Sequence, residues 1–169
     1  PTHNTPKCVS CNVGYYKSGI ECKGCAHGKY QGQGSSTITA CKTCNKGMFA
    51  ASTKVTSCAS CASGRYQGQT VSSITACKTC DKGTFASSST VSSCAPCATG
   101  KYQGETASTI NACKTCNKGT FASSATVTSC ASCATGKYQG QNSSSVNTCK
   151  TCDKGMFAAS ATVTSCASC

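Results

Sequence analysis

Hydrophobic and polar positions form short repeated motifs along this chain, and no long apolar segment interrupts them. A typical motif is "CDKGTFASSSTVSSC" at 80–94, with one aromatic and one large aliphatic residue among hydroxyl residues. Such isolated apolar residues give no 3.6-residue helical period. The β-branched, weakly alternating segments, such as "SSATVTS" at 123–129, predict short strands or extended loops. We therefore expect essentially no helix.

Cysteine pairs set the length of the repeat. All 20 cysteines lie in C-x-x-C pairs, and from Cys22 onward the pair starts are separated alternately by 19 and 17 residues. The period is therefore 36 residues, made of a long and a short half-repeat, and a fixed period of this size indicates a stacked array. The predicted units are an atypical N-terminal unit that suits a cap (1–21), four repeats (22–57, 58–93, 94–129, 130–165) and the start of a further repeat (166–169), so the chain is expected to continue.

Each half-repeat contains C-x-x-G-x-[Tyr/Phe], which occurs nine times, and one aliphatic residue three places before the next cysteine pair. The recurrent glycine predicts a turn with positive φ or a close backbone approach. The aromatic residue, the aliphatic residue and a crosslink are predicted to form a miniature core. The aromatic residues of this predicted core are Tyr30, Phe49, Tyr66, Phe85, Tyr102, Phe121, Tyr138 and Phe157.

The composition excludes a large shared core, because the apolar fraction of 38% is inflated by cysteine and alanine and tryptophan is absent. Disulfides or metals must then supply stability. Dense cysteines in a Ser/Thr-rich chain indicate an oxidising, extracellular or cell-surface setting. No segment has the roughly 18 consecutive apolar residues of a membrane span.

The formal net charge of +12 suggests anionic partners such as acidic glycans, but we favour the simpler explanation that one lysine-bearing unit is repeated. The basic residues fall in three columns. The columns are Lys42, Lys78, Lys114 and Lys150; Lys46, Lys82, Lys118 and Lys154; and Lys29, Arg65, Lys101 and Lys137. Nucleic-acid binding would need stacking aromatics beside this charge, and here the aromatics are assigned to the core.

The sequence offers few residues that could act in catalysis, so we expect that the chain is not an enzyme and needs no cofactor. His3 and His27 have no nucleophile–base companion, and the four carboxylates are scattered. The spacing C-x2-C-x13–15-C-x2-C lies near that of zinc sites with four cysteine ligands, so a zinc-binding repeat protein in a reducing compartment is a remote alternative to disulfides.

Hydroxyl-rich loops suit glycosylation. Asn142-Ser143-Ser144 is a good N-glycosylation sequon, and Ser143, Ser144 and Ser145 are predicted O-linked sites.

The phrase C-x-x-C-x-x-G-x-[Tyr/Phe]-x(n)-C-x-x-C resembles the cysteine-rich repeats of ephrin-receptor-like and tumour necrosis factor receptor-like ectodomains, and related repeats of protist surface antigens. In the receptor modules, the cysteine before G-x-[Tyr/Phe] bonds the cysteine that opens the next pair. This resemblance implies the bonds Cys11–Cys22, Cys25–Cys41, Cys44–Cys58, Cys61–Cys77, Cys80–Cys94, Cys97–Cys113, Cys116–Cys130, Cys133–Cys149 and Cys152–Cys166, and it leaves Cys8 and Cys169 over. A crossed pattern such as Cys41–Cys58 with Cys44–Cys61 stays open, because sequence alone does not fix connectivity.

The function that these features predict is that of a non-enzymatic extracellular structural glycoprotein. We expect small disulfide-rich tandem modules in an elongated rod, which forms a surface coat or fibre by association with copies of itself. The alternative is a cell-surface adhesin or receptor ectodomain that binds a protein or an anionic glycan. Its specific contacts would lie in residues 1–21, the one individual unit.

Overall fold

The computed structural model describes residues 10–35, 37–70, 74–106, 111–142 and 147–169. Cys8, Ile110, Val146 and the predicted O-linked sites Ser143–Ser145 lie outside these ranges. The chain divides into two compact units, which are described separately. The first comprises Pro1–Lys78 and Ser89–Ser93, and the second comprises Thr79–Ser88 and Cys94–Cys169.

Short β-strands and turns make up the described residues, which contain no helix. The first two strands have four residues, and every later strand has two. The strands are β1 (Tyr15–Ser18), β2 (Glu21–Gly24), β3 (Lys29–Tyr30), β4 (Lys42–Thr43), β5 (Met48–Phe49), β6 (Ala59–Ser60), β7 (Arg65–Tyr66), β8 (Lys78–Thr79), β9 (Thr84–Phe85), β10 (Ala95–Pro96), β11 (Lys101–Tyr102), β12 (Lys114–Thr115), β13 (Thr120–Phe121), β14 (Ala131–Ser132), β15 (Lys137–Tyr138), β16 (Lys150–Thr151), β17 (Met156–Phe157) and β18 (Ala167–Ser168). The predicted fold class, small disulfide-rich repeats of strands and loops, is confirmed.

Each strand pair joins the aromatic position of a half-repeat to the cysteine pair that follows it. In the first unit β1 pairs with β2, β3 with β4 and β5 with β6, all antiparallel, and Phe49 lies opposite Ala59. In the second unit β9 pairs with β10, β11 with β12, β13 with β14, β15 with β16 and β17 with β18. The Cys61 N–H also donates to the Gly47 carbonyl at 2.9 Å. One half-repeat is therefore a hairpin of minimal length that ends at a disulfide.

The hydroxyl-rich segments are predicted to form short strands or extended loops. The strands of the structure lie elsewhere, so the strand alternative is wrong for these segments. Residues 123–129 form turns and bends, and Thr126 within them has a φ of 66°. A left-handed residue reverses the chain, so this segment cannot continue as a strand. The strands lie instead at the aromatic residue and within the C-x-x-C pair.

The buried centre of a half-repeat is the disulfide and the residue after the aromatic ring, which corrects the predicted core. The buried side chains include at least one cysteine of every bond except Cys152–Cys166, Ala50, Ala86 and Ala122 in short half-repeats, and four glutamines in long ones. Seven of the eight predicted core aromatics are only half-buried, and Phe157 is 45% exposed. A two-residue hairpin has no second layer to cover both faces of a ring.

Candidate interaction surfaces of the repeat

Nine disulfides crosslink the described residues, one in each half-repeat. They are Cys11–Cys22, Cys25–Cys41, Cys44–Cys58, Cys61–Cys77, Cys80–Cys94, Cys97–Cys113, Cys116–Cys130, Cys133–Cys149 and Cys152–Cys166. These bonds join the cysteines that the receptor-like resemblance pairs, and they differ from the crossed pattern. Cysteines in disulfides supply no thiolates to zinc. Cys169 carries a free, exposed thiol.

Backbone hydrogen bonds connect successive half-repeats directly. In the first unit the Gly47 N–H donates to the Gln67 carbonyl at 2.7 Å, and the Gln67 N–H donates to the Val91 carbonyl at 3.1 Å. In the second unit Gly83 and Gln103 make the corresponding bonds, at 2.8 Å and 3.2 Å. Each half-repeat thus uses its backbone to hold the next one, and little side-chain packing is needed.

A second contact joins short half-repeats that are next but one along the chain. All nine glycines of the C-x-x-G-x-[Tyr/Phe] motif have positive φ, as predicted. Gly83, with φ of +81°, also lies against the backbone of Thr126: a Cβ at Gly83 would meet the Thr126 carbonyl oxygen, with the carbonyl carbon 2.6 Å and Cα 2.9 Å away. Equivalent contacts pair Gly47 with Thr90 and Gly119 with Thr162. Both predicted reasons for glycine, the turn and the close approach, therefore apply here.

A buried glutamine in each long half-repeat was not predicted. Gln103 is 1% exposed, and its Oε1 accepts a hydrogen bond from the Glu105 N–H at 2.9 Å. Gln31 makes the same bond to the Gln33 N–H at 3.0 Å, and its Nε2 donates to the Ala40 carbonyl at 3.5 Å. The side chain therefore bonds backbone groups of the longer loop. The sequence signal was present, because Tyr-Gln-Gly occurs in all four long half-repeats.

The N-terminal unit docks on the first repeat with the contacts of a regular half-repeat. The Gly14 N–H donates to the Gln31 carbonyl at 2.7 Å, and a Cβ at Gly14 would meet the backbone of Lys54. Lys54 stands where later repeats have a left-handed threonine, and it also has positive φ. Its Nζ lies 5.3 Å from the centroid of the Tyr15 ring, which adds a cation–π contact.

The hairpin of the N-terminal unit also presents apolar side chains to solvent. Val13 is 46% exposed and Ile20 is 62% exposed. Gly19, with φ of 66°, forms the turn beside Ile20. These exposed aliphatic residues have no counterpart among the described residues of the regular repeats, where the exposed large hydrophobic residues are Met156 and Phe157.

The basic residues are mostly exposed and rarely paired with acids. The column within "CKTC" and the column before the glycine are exposed, and in the third column Lys29, Arg65 and Lys101 are half-buried and Lys137 is exposed. Among the described residues one ion pair forms, between Lys114 Nζ and Glu105 Oε1 at 3.2 Å. Both partners are more than half exposed, so the pair adds little stability. The remaining positive charge is left to solvent or to a ligand.

The predicted N-linked site Asn142 is exposed, and its side-chain oxygen bonds the backbone. Its Oδ1 accepts a hydrogen bond from the Lys118 N–H at 2.8 Å. An N-linked glycan attaches to the amide nitrogen, so this hydrogen bond and a glycan are compatible.

Metal-ligating side chains do not converge on one site among the described residues. No cluster of three His, Cys, Asp or Glu side chains that could hold a metal is found there. His27 Nδ1 lies 3.0 Å from the Ala51 carbonyl oxygen. In the same part of the chain, no helix has the length and apolar character required to cross a bilayer.

No family model matches the chain, and no curated protein matches it significantly. Its class therefore rests on its own architecture. Nine disulfides in tandem half-repeats fit an extracellular structural or surface protein and an oxidising environment.

Proposed function

We propose that this chain is a non-enzymatic structural glycoprotein of the cell exterior, an elongated repeat rod that associates with its own copies into a coat or fibre. The observation that carries the proposal is the recurrence of one set of backbone contacts. The glycine-to-threonine approach, the glycine-to-glutamine hydrogen bond and the disulfide return with each repeat. A chain that repeats its own scaffold in this way repeats its outer surface as well.

The crosslinks suit such a role. The bonds have sequence separations of 14 or 16 residues in the regular half-repeats. Each closure of this length contributes about 3 kcal/mol in the loop-entropy model. Because every half-repeat has its own bond, local opening of one does not release the next. The receptor-like resemblance is consistent with an exterior position and specifies no ligand.

Association between copies follows from the repetition. One heterologous contact that recurs without closing into a ring generates a fibre. The exposed hydroxyl-rich turns and basic columns offer such contacts at every repeat. The formal charge of +12 opposes the approach of two copies. Salt screens this repulsion, so we expect association to increase with ionic strength.

The test uses the purified, oxidised full chain. Light scattering and electron microscopy at low and high ionic strength should show filaments or elongated oligomers that grow with salt and concentration. Peptide mapping without reduction should find the nine local disulfides. Monomers at every concentration and salt would contradict homotypic assembly.

The adhesin or receptor is a second candidate, which the exposed Val13 and Ile20 favour. Single apolar residues on a surface are ordinary, but two on one individual unit mark a place for a specific partner. A monomeric chain that binds one defined protein, and loses that binding in Ile20→Ser, would favour this candidate over the coat.

A further inference from the structure

Two equivalent clefts lie between consecutive half-repeats in the first unit. The larger, of about 300 Å³, is lined by Phe49, Ser60, Ala62, Arg65, Ala76 and Cys77. The smaller, of about 180 Å³, is lined by Tyr16, Gly24, Ala26, Lys29, Ala40 and Cys41. The two sets occupy the same positions of the half-repeat pattern. Each cleft contains an aromatic ring from one half-repeat and a basic residue from the next.

The wall beside the basic residue is a tight turn. The Arg65 N–H donates to the Ala62 carbonyl at 3.0 Å, and the Lys29 N–H donates to the Ala26 carbonyl at 3.1 Å. This turn fixes the backbone of the cation next to the cleft. Ala76 forms part of the opposite lining, and its small side chain keeps the space open.

The cation in each cleft has no acidic partner. Arg65 and Lys29 are half-buried, and neither forms an ion pair with a carboxylate of the described residues. A half-buried cation without a counter-charge favours binding of an anion. Because the same cleft also presents an aromatic ring, the ligand that fits best is anionic on one side and apolar on another.

We infer that each cleft binds one acidic sugar residue of a linear polysaccharide. The C–H face of a pyranose packs on the ring of Phe49 or Tyr16, and its carboxylate or sulfate meets Arg65 or Lys29. The Ser60 hydroxyl is placed to bond a sugar hydroxyl. The volume of the larger cleft, about 300 Å³, lies at the low end of protein ligand sites and suits one sugar residue. This proposal identifies a partner for the extracellular rod and does not require that the rod self-associates.

Repetition of the cleft converts weak single sites into useful affinity. The third repeat has the same residues at the cation, turn and alanine positions of the cleft: Lys101, Ala98 and Ala112. A polymer that occupies one cleft raises its effective concentration at the next. A periodic acidic polymer gains from this arrangement, and a folded partner with a single epitope does not.

The chain itself supplies a substitution that fills the cleft. The position of Ala40 and Ala76 is occupied by Thr148 in the last long half-repeat. Both the Ala40 and the Thr148 carbonyl accept a hydrogen bond from the buried glutamine, at 3.5 Å and 3.4 Å. The double variant Ala40→Thr/Ala76→Thr therefore copies a side chain that the fold already accommodates.

The experiment measures binding of the oxidised full chain to three soluble polysaccharides: heparin, which is sulfated, polygalacturonate, which has only carboxylates, and neutral dextran. The cleft variant is Lys29→Gln/Arg65→Gln. Its matched control, Lys42→Gln/Lys78→Gln, removes the same charge from exposed positions that do not line either cleft. Titration calorimetry gives the affinities, and hydrogen exchange checks that each variant is folded.

We expect heparin or polygalacturonate to bind and dextran not to bind. The cleft variant should lose about tenfold in affinity, the magnitude of a charge-assisted hydrogen bond. The charge control should lose less than about threefold, as expected from screened exposed charges. The alanine-to-threonine variant should lose as much as the cleft variant. Preference for heparin would assign sulfate, and equal binding of polygalacturonate would assign carboxylate.

Equal losses in the cleft variant and the charge control would overturn the proposal, since they would show diffuse electrostatic attraction. Full affinity in the alanine-to-threonine variant, or no binding of either acidic polysaccharide, would overturn it as well. The proposal would also be overturned if single-stranded DNA displaced the bound polysaccharide as well as free polysaccharide does. Filament formation by the same variants is measured in parallel. Loss of polysaccharide binding with unchanged filaments, or the reverse, tells the binding proposal and the assembly proposal apart.

Discussion

Gly83→Ala tests the contact that joins next-but-one half-repeats. Gly83 has φ of +81° and faces the backbone of Thr126, and its N–H donates to the Gln103 carbonyl at 2.8 Å. Gly155→Ala is a matched control in an identical Asp-Lys-Gly turn. Gly155 has φ of +76°, and nothing lies within 4 Å of a Cβ built on it.

The expected free-energy changes differ because only one variant has a clash. A left-handed φ costs a non-glycine residue about 1–2 kcal/mol, and both variants bear that cost. In Gly83→Ala the new methyl group must also displace the Thr126 backbone, with its carbonyl carbon 2.6 Å away. Overpacking costs about 1–3 kcal/mol, and loss of the hydrogen bond to Gln103 costs about 1 kcal/mol. We expect about 3–6 kcal/mol for Gly83→Ala and about 1–2 kcal/mol for Gly155→Ala.

Native-state hydrogen exchange reads these changes locally, which suits an array that opens in parts. The reporters are the amides of Thr84 and Met156, which donate to the carbonyls of Asp81 and Asp153, each at 3.1 Å. At about 1.4 kcal/mol per factor of ten, Thr84 should exchange at least about a hundredfold faster in Gly83→Ala. Met156 should exchange about tenfold faster in Gly155→Ala. Similar accelerations in the two variants would refute the close contact as the source of stability.

Three further predictions concern single side chains of the repeat. Thr126→Asn should stabilise the chain by about 0.5–1 kcal/mol, because asparagine tolerates left-handed φ better than threonine; a lower guanidinium midpoint would contradict this. Gln103→Ala should destabilise by about 1–3 kcal/mol, because the Glu105 N–H loses the acceptor that the buried Gln103 side chain provides, whereas the exposed control Gln141→Ala should change the urea midpoint little. When these 169 residues are expressed in a glycosylating host, the intact mass should exceed the 17.0 kDa of the polypeptide, and Asn142→Gln should lower the mass by one glycan; a bare polypeptide mass would remove the N-linked site.

The features that sequence predicts well are those that one residue type alone can provide. Half-repeat length follows from the cysteine spacing, and the positive φ of Gly83 and its equivalents follows from their fixed offset. No other residue closes a disulfide, and glycine is the ordinary choice where φ is positive and a backbone approaches. Their recurrence is therefore direct information about geometry.

The features that were missed depend on contacts that residue type alone does not specify. The sequence does not predict the burial of Gln103, because a glutamine ordinarily lies at the surface, and this burial depends on hydrogen bonds to the backbone of its own loop. Thr126 reads as one of many loop hydroxyl residues, and its left-handed φ becomes understandable only beside Gly83. Phe157 reads as core by analogy with Phe49, although burial of a ring depends on the half-repeat that follows it.

The alternation of long and short half-repeats is itself required by these contacts. The close approach of Gly83 to Thr126 joins two short half-repeats across a long one, and a Cβ at Gly104 of that long one would lie 2.8 Å from the carbonyl oxygen of Thr128 in the next short one. One copy of each contact therefore needs 36 residues.

Deletion of 94–129 should leave a chain with the same local disulfides, because each remaining glycine meets a threonine of the same kind. Deletion of 97–115 also removes an even number of cysteines, but it places two short half-repeats side by side. We therefore expect scrambled disulfides in peptide maps made without reduction. We also expect faster amide hydrogen exchange. Equal folding of the two deletions would show that the half-repeat, and not the 36-residue pair, is the structural unit.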